Sequence, residues 1–238
     1  QRSGLRAEND IRLRDLVKES QLKYTLEEHA QRDPRILKVY LEARRRYGES
    51  GLNHHNFSHV MRDLYRALVI AEDEGSVDYS VLIPSVLLHD IGFCTPNFRK
   101  LGHDVAGARL ARELTVNLGY DEQTCEAIFH CVRAHKGKAE LQQSLEAKIL
   151  YDADVLEIAG LVYLIFGGKI TCELKESVDT FLNRELSDRT TEVGRGFYTK
   201  KAKELDGGRL DRVRSILSDV KDEILKERPD FGVEEQAL

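Results

Sequence analysis

The chain reads Val-Leu-Leu-His-Asp-Ile-Gly at residues 86–92, so that His89 and Asp90 stand side by side at the end of an apolar run. An uncharged apolar run of this kind predicts a buried segment. A buried ionised carboxylate must be paired or bound to a cation to offset its lost hydration. Imidazole and carboxylate groups are both ligands of divalent metal ions. The pair therefore predicts a metal site inside the core.

Other histidines and aspartates on both sides of this pair could complete a ligand shell. Upstream, residues 55–60 read His-Asn-Phe-Ser-His-Val, and downstream lie His103, His135 and the segment Asp-Ala-Asp at residues 152–154. Seven of the eight histidines fall between positions 54 and 135. Such crowding favours a shared role for several of them.

In order along the chain, these residues resemble the His, His-Asp, Asp signature of the HD-domain superfamily of metal-dependent phosphohydrolases. His59 matches the first ligand of the family, His89 and Asp90 match the doublet, and Asp152 matches the final aspartate. The resemblance covers roughly residues 50–165. It implies one divalent cation, of manganese, iron, cobalt, nickel, zinc or magnesium, held by these four residues, with Asp90 at the reacting centre.

Several branches of the same family hold a second metal ion through two further histidines, and the doublet carboxylate bridges the two ions. His103 and His135 resemble those two histidines by their place in the chain. The alternative is that both are ordinary structural histidines. The sequence leaves this choice open, so the resemblance implies one or two ions per chain.

Other polar residues near the doublet have candidate roles in catalysis or binding. His55 resembles the histidine of cyclic-nucleotide phosphodiesterases that protonates the leaving oxygen, and it could be a general acid; the alternative is a loop histidine bonded to backbone. Arg99, Lys100 and Lys136 could bind phosphate, or they could be solvated loop charges. Asp154 either hydrogen-bonds to a metal ligand or is a solvated carboxylate. Surface positions are expected for His29, His54 and His130.

Helical periodicity runs along the chain, and no segment has the pattern of a strand. The fold expected is all-α, a compact HD-domain helical bundle with additional N- and C-terminal helices. We divide it into an exposed N-terminal helical arm at 1–31, a metal-binding core at 32–168 that ends where Gly167 and Gly168 break a helix, and a C-terminal helical extension at 169–238. Apolar residues at alternating spacings of three and four in 210–224 predict a seam that packs on the core or on another subunit.

Composition describes an ordinary soluble protein of one domain. The chain has 238 residues, a net charge of −5, 41% hydrophobic and 32% charged residues, so no basic excess indicates nucleic-acid binding. The most apolar segment, 155–168, contains Glu157 and is too short for a bilayer, which needs about 20 residues. Four cysteines without paired spacing, and no signal-peptide pattern, are typical of a cytoplasmic protein.

The leading hypothesis is therefore metal-dependent hydrolysis of a phosphoester or phosphoanhydride in a small phosphorylated molecule, with a nucleotide as the first candidate. A di-iron oxygenase is an alternative, because the same superfamily includes oxygenases with the same order of ligands. A non-catalytic nucleotide-binding HD module is a third. A homo-oligomer is compatible with the C-terminal seam, and no membrane partner is expected.

Overall fold

The fold is known from a computed structural model, which describes residues 22–96, 98–137, 141–186 and 196–227. In these ranges the secondary structure is helical without any strand, which confirms the all-α prediction. The α-helices are α1 (Leu26–Arg32), α2 (Pro34–Ser50), α3 (Phe57–Glu74), α4 (Tyr79–Leu88), α5 (Phe98–Leu101), α6 (His103–Asn117), α7 (Glu122–Ala134), α8 (Leu145–Ile158), α9 (Val162–Leu174), α10 (Val178–Leu186), α11 (Lys200–Asp206) and α12 (Arg209–Glu227). A 3-10 helix, Ile91–Cys94, follows α4.

Side-chain caps fix where the helices of the core begin. Asp33, Asn56, Asp78, Asp121 and Ser144 each accept a hydrogen bond from a backbone N–H in the first turn of α2, α3, α4, α7 and α8 respectively. Each cap of this kind stabilises a helix by about 1 kcal/mol. The caps thereby set the register of the helices that carry the histidines and aspartates of interest.

Helix α4 lies at the centre of the main hydrophobic core. Every residue from position 81 to position 88 is buried, and α2, α3, α7 and α8 pack around the helix. A helix without charged residues on any face is stable only when it is covered on all sides. Its carboxyl end, where His89 and Asp90 follow, therefore lies inside the protein.

The C-terminal helices form a second, smaller hydrophobic cluster. Its buried members come from α9, α10 and α12, and they are Tyr163, Ile170, Phe181, Leu182, Val213 and Leu217. The apolar seam of α12 thus packs within the chain, mainly against α10. Helix α11 contacts α3 and α8 instead, with Ala202 in the main core.

Gly167 and Gly168 do not break a helix, contrary to the sequence prediction. Both lie inside α9, and the chain turns earlier, at residues 159–161. A Cβ on Gly167 would lie 2.7 Å from Cζ of Phe181, so the glycine lets α10 pack closely against α9. The boundary expected at residue 168 consequently falls in the middle of a helix.

The described part of the N-terminal arm is packed on the core. Leu22 and Leu26 contact the main core, and His29 is 5% exposed, with its ring stacked on Tyr79 at 4.4 Å. The prediction of a surface position for His29 is therefore wrong, and residues 1–21 lie outside the described ranges. Across those ranges every helix is too short or too polar to cross a lipid bilayer.

Candidate metal centre

Two buried imidazoles, those of His59 and His89, bring their Nε2 atoms close together between α3 and α4. The Asn56 cap holds His59 in the first turn of α3, and His89 follows the last residue of α4. An N–H at Nδ1 of His89 donates to the carbonyl of Val86 at 2.8 Å, which leaves Nε2 as the ligand atom. The two Nε2 atoms are 3.4 Å apart. The structure thus brings together the Nε2 atoms of His59 and His89, the two histidines predicted as ligands of one ion.

Three carboxylates surround the same imidazole nitrogen. From Nε2 of His59, an oxygen of Asp63 lies at 3.2 Å, of Asp90 at 3.3 Å and of Asp154 at 3.8 Å. A single N–H cannot satisfy three carboxylates, and buried negative charge requires a counter-charge. One ligand atom from each of His59, Asp63, His89 and Asp154 lies within 4.8 Å of all the others, a spacing that fits ligands about 2.0–2.2 Å from a shared ion. We refer to His59, His89, Asp90 and Asp154 as the first ligand group, beside which the carboxylate of Asp63 lies.

A second ligand group consists of Asp90, His103 and His135. Nε2 of His103 is 3.1 Å from Nε2 of His135, and the two nitrogens lie 3.6 and 3.4 Å from Oδ1 of Asp90. The other oxygen of Asp90, Oδ2, is 3.3 Å from Nε2 of both His59 and His89. Asp90 therefore presents one oxygen to each group, which is the arrangement that the two-metal hypothesis requires.

Asp152, the expected fourth ligand, lies outside both groups. Its carboxylate accepts hydrogen bonds from the backbone N–H of Tyr198 at 2.9 Å and of Thr199 at 2.7 Å, and from the Thr199 hydroxyl at 2.6 Å. Successive helical residues are turned by about 100°, so Asp152 and Asp154 lie on different faces of α8. Asp154 faces His59, and Asp152 faces the start of α11. The structure thus replaces Asp152 by Asp154 in the ligand set.

Buried Glu157, one turn after Asp154, fixes the orientation of His59. Its Oε1 lies 3.4 Å from Nδ1 of His59, and an N–H there leaves the lone pair of Nε2 available. Arg62 and Arg66 also bind Glu157, and Arg66 contacts Oδ1 of Asp63 at 2.6 Å. Partners of this kind orient metal-ligating histidines. The positive charges of Arg62 and Arg66 balance the negative charges of Glu157 and Asp63. The two negative charges that remain, on Asp90 and Asp154, equal the charge of one divalent cation.

The carboxylates also set the protonation of the imidazoles. Burial opposes a charge on His59, but Asp63 and Asp90 outweigh it and raise its pKa well above the ordinary value. Burial likewise opposes a charge on His89, whose pKa Asp90 raises to about 9. Burial raises the pKa of Asp63 to about 7. The site therefore favours positive charge, which protons or a metal ion can supply.

His55 is held against the wall of the second ligand group. Its Nδ1 is paired with the carboxylate of Glu173 on α9, and that carboxylate also accepts the backbone N–H of His54 at 2.8 Å. The His55 ring stacks on Phe93 at 4.2 Å, and the opposite face of Phe93 stacks on His103 at 4.1 Å. His54 is 5% exposed, so the prediction of a surface position for it is wrong.

A cavity of about 640 Å³ opens onto both ligand groups. His55, Lys136 and Arg184 line it together with an apolar wall made by Phe98, Tyr151, Val155, Ile158, Tyr163, Ile170 and Leu174. Of the three residues expected to bind phosphate, Lys136 reaches this cavity. Arg99 and Lys100 are exposed on α5 and do not line it. Half-buried His130 belongs to neither ligand group.

Residues 56–159 match the family model of the HD domain. The matched segment contains His59, the His89-Asp90 doublet and Asp154. This match supports the resemblance of the chain to the HD-domain superfamily, which the order of its histidines and aspartates predicts. HD domains bind divalent metal ions, and the donor set of the two ligand groups suits such ions.

Two solved structures share the fold. A predicted HD superfamily hydrolase from an uncultured Thermotogales bacterium is 25% identical, with a TM-score of 0.54 over 84% of this chain and 99% of its own. A protein of Lactobacillus plantarum is 16% identical, with a TM-score of 0.66 over 82% of this chain and 99% of its own, and this likeness concerns the fold alone. No curated protein sequence matches the chain significantly.

Proposed function

We propose that the protein hydrolyses a phosphoester or phosphoanhydride bond in a small phosphorylated molecule, and that this molecule is a nucleotide. The observation that carries the proposal is the position of Asp90, whose two oxygens face two separate ligand groups at the wall of one cavity. His59, His89, Asp90 and Asp154 would hold one cation, and Asp90, His103 and His135 would hold another. Bound divalent cations polarise P–O bonds and lower the pKa of coordinated water.

The protein's own side chains then bind and orient the substrate. Lys136 lines the cavity and provides positive charge for a phosphate group. Arg184 also lines the cavity, but its guanidinium is paired with Glu176 and Glu185. His55, which is held by Glu173, would donate a proton to the leaving oxygen. Glu157 keeps the His59 ring fixed while the reaction proceeds.

The apolar wall supports a nucleotide over a small sugar phosphate. Phe98 contributes a half-buried aromatic ring on which a planar base could pack, and buried Tyr151 and Tyr163 line the same cavity. The cavity volume of about 640 Å³ is within the usual range of about 300–1,000 Å³ for small-molecule sites. A substrate with both a charged and a flat apolar part fits such a lining.

The proposal is tested with the Mn²⁺-loaded protein and a panel of nucleoside mono-, di- and triphosphates, sugar phosphates and p-nitrophenyl phosphate. We expect metal-dependent phosphate release that chelation abolishes, and a nucleotide as the preferred substrate. His135→Ala should reduce turnover more than about 100-fold, since even outer-shell changes cost about 10–100-fold. His130→Ala, five residues earlier on α7 and outside both groups, is the matched control. Unchanged turnover in His135→Ala, or no release of phosphate from any compound, would contradict the proposal.

The di-iron oxygenase alternative uses the same metal ligands as the hydrolase. The substrate panel and metal analysis must therefore distinguish the two reactions. The similarity to a protein described as a hydrolase favours hydrolysis. Two equivalents of iron with a mixed-valent paramagnetic resonance signal, together with no phosphate release from the Mn²⁺ form, would favour the oxygenase.

A further inference from the structure

Asp63 is a buried carboxylate for which the four-residue HD signature has no role. The residue is 0% exposed and lies one helical turn after His59 on α3. Its Oδ1 is bound by Arg66 at 2.6 Å. Its Oδ2 receives no hydrogen bond of normal geometry from any described residue, yet it lies 3.2 Å from Nε2 of His59 and 3.7 Å from Nε2 of His89. A buried charged oxygen left without a partner is strongly destabilising.

We propose that Asp63 is a further metal ligand of the first group, which therefore holds its cation through three carboxylates and two imidazoles. On α3 the residues His59 and Asp63 are four apart, so their side chains share one face and can chelate one ion. One ligand atom each of His59, Asp63, His89 and Asp154 already lies within 4.8 Å of the others. The cation supplies the partner that Oδ2 lacks.

A hydrogen bond between His59 and Asp63 alone does not account for this geometry. Nε2 of His59 has two more carboxylate neighbours, Asp90 at 3.3 Å and Asp154 at 3.8 Å, and one N–H cannot serve all three. Arg66 does not satisfy Asp63 completely either, because it binds Oδ1 and Glu157 and thereby aims Oδ2 at the imidazoles. The arginine thus positions the ligand.

The extra carboxylate specifies the kind of ion that the first group prefers. Three carboxylates and two imidazoles make an oxygen-rich set, whereas the second group has two imidazoles and the shared carboxylate of Asp90. Oxygen ligands suit manganese and magnesium, and nitrogen ligands suit zinc, copper and nickel. The first group is therefore a site for a manganese-class cation, and its preference for Mn²⁺ over Zn²⁺ depends on Asp63.

Mn²⁺ titration followed by electron paramagnetic resonance tests this role without any assay of turnover. Asp63→Asn is nearly isosteric and should weaken Mn²⁺ binding at one site by about 10-fold or more while the Zn²⁺ affinity changes less. Glu42→Gln is the matched control, because Glu42 also pairs with an arginine three residues later on a helix, Arg45, and belongs to neither ligand group. The control should bind Mn²⁺ as the wild type does. Unchanged Mn²⁺ affinity in Asp63→Asn would overturn the proposal.

A crystal structure of the wild-type protein loaded with Mn²⁺ tests the proposal even if the variant fails to fold. A distance of about 2.0–2.3 Å between Oδ2 of Asp63 and the ion would support it, and a distance above about 3 Å would overturn it. The inference rests on the metal site of the proposed function but not on the reaction. Mn²⁺ bound by Asp63 in a protein that releases no phosphate would support this inference and contradict only the hydrolase proposal.

Discussion

Asp152 and Asp154 are two residues apart on α8, and their carboxylates have different partners in the fold. Asp152 accepts three hydrogen bonds from Tyr198 and Thr199 and so anchors the start of α11. Asp154 faces His59 in the first ligand group. The sequence Asp-Ala-Asp contains no feature that separates a ligand from a helix anchor, because the choice depends on which face of α8 meets α3.

Substitution of each aspartate by alanine separates the two tasks. Asp154→Ala should lose bound metal with little change in the free energy of unfolding of the metal-free protein. Asp152→Ala should keep its metal but lose about 2–4 kcal/mol, because two backbone N–H groups and a hydroxyl lose their acceptor. Metal analysis and urea unfolding measure both effects, and Asp152→Asn, which retains an acceptor oxygen, should lose less. Metal loss in Asp152→Ala but not in Asp154→Ala would contradict the assignment.

Protonation of the imidazoles should couple metal affinity to pH. The pKa of His89 is raised to about 9 and that of His59 well above its ordinary value, so both carry protons near pH 7 before a cation binds. Metal binding must displace these protons, and the apparent affinity should rise as the pH rises towards 9. Calorimetric titration with Mn²⁺ in buffers of different ionisation enthalpy should detect at least about one proton released per ion at pH 7. Binding without proton release would refute this prediction.

The same shift has a consequence for the metal-free protein. Because the folded pKa of His89 lies above its ordinary value of 6.5, the carboxylates stabilise the fold fully below about pH 6.5. This contribution should be lost as the pH rises through about 9.

At the scale of the elements, α9 shows how a tertiary contact overrides local sequence signals. Two consecutive glycines indicate a helix end, but α9 continues through both of them. Gly167 lies against the ring of Phe181, whereas a Cβ at Gly168 would have nothing within 4 Å. The two glycines therefore form a natural pair for comparison.

Alanine at each of these glycines should have opposite effects on stability. Gly167→Ala forces a methyl group against Phe181 and should lower the free energy of unfolding by about 1–3 kcal/mol. Gly168→Ala adds a better helix former in open space and should raise it by up to about 1 kcal/mol. Thermal unfolding of the two variants measures the difference. Equal effects at both positions would show that α9 and α10 are not packed as described.

Helix α9 also reaches the cavity through Glu173, which holds His55. Glu173→Gln should lower kcat by about 10–100-fold with KM and metal content little changed, because a general acid contributes about 10²–10⁴-fold and the amide holds its ring less firmly. Lys169→Gln, on the same helix, is the control. A pH profile of kcat that is identical in Glu173→Gln and in the wild type would remove His55 from the mechanism.

Local signals explain which parts of the elements and of the site were predictable. Asp33, Asn56, Asp78, Asp121 and Ser144 cap helices through hydrogen bonds within their own first turns, so sequence alone indicates them. The doublet was recognisable because a carboxylate that directly follows a buried apolar run needs a counter-charge or a cation. The burial of His54 beside Phe166 and the facing of Asp63 towards His89 depend on contacts between distant helices, and no local pattern reveals these contacts.

At the scale of the whole molecule, the cavity lies between the two hydrophobic clusters. Tyr151 and Val155 belong to the main core, and Tyr163 and Ile170 belong to the second cluster, yet all four line the same cavity. Both ligand groups lie within residues 56–159, the HD core. Helix α10 adds Arg184 to the cavity lining, and α9 adds Glu173, which holds His55. The C-terminal helices therefore complete the cavity that the HD core begins.

Metal content of the wild-type protein and of Asp90→Asn tests the central claim most directly, because Asp90 faces both ligand groups. Both proteins, with His130→Ala as control, are incubated with Mn²⁺, freed of unbound ions and measured for manganese and phosphate release. The account predicts about two ions per chain in the wild type and in the control, and loss of both ions and of phosphate release in Asp90→Asn. Full metal content and turnover in Asp90→Asn would contradict it.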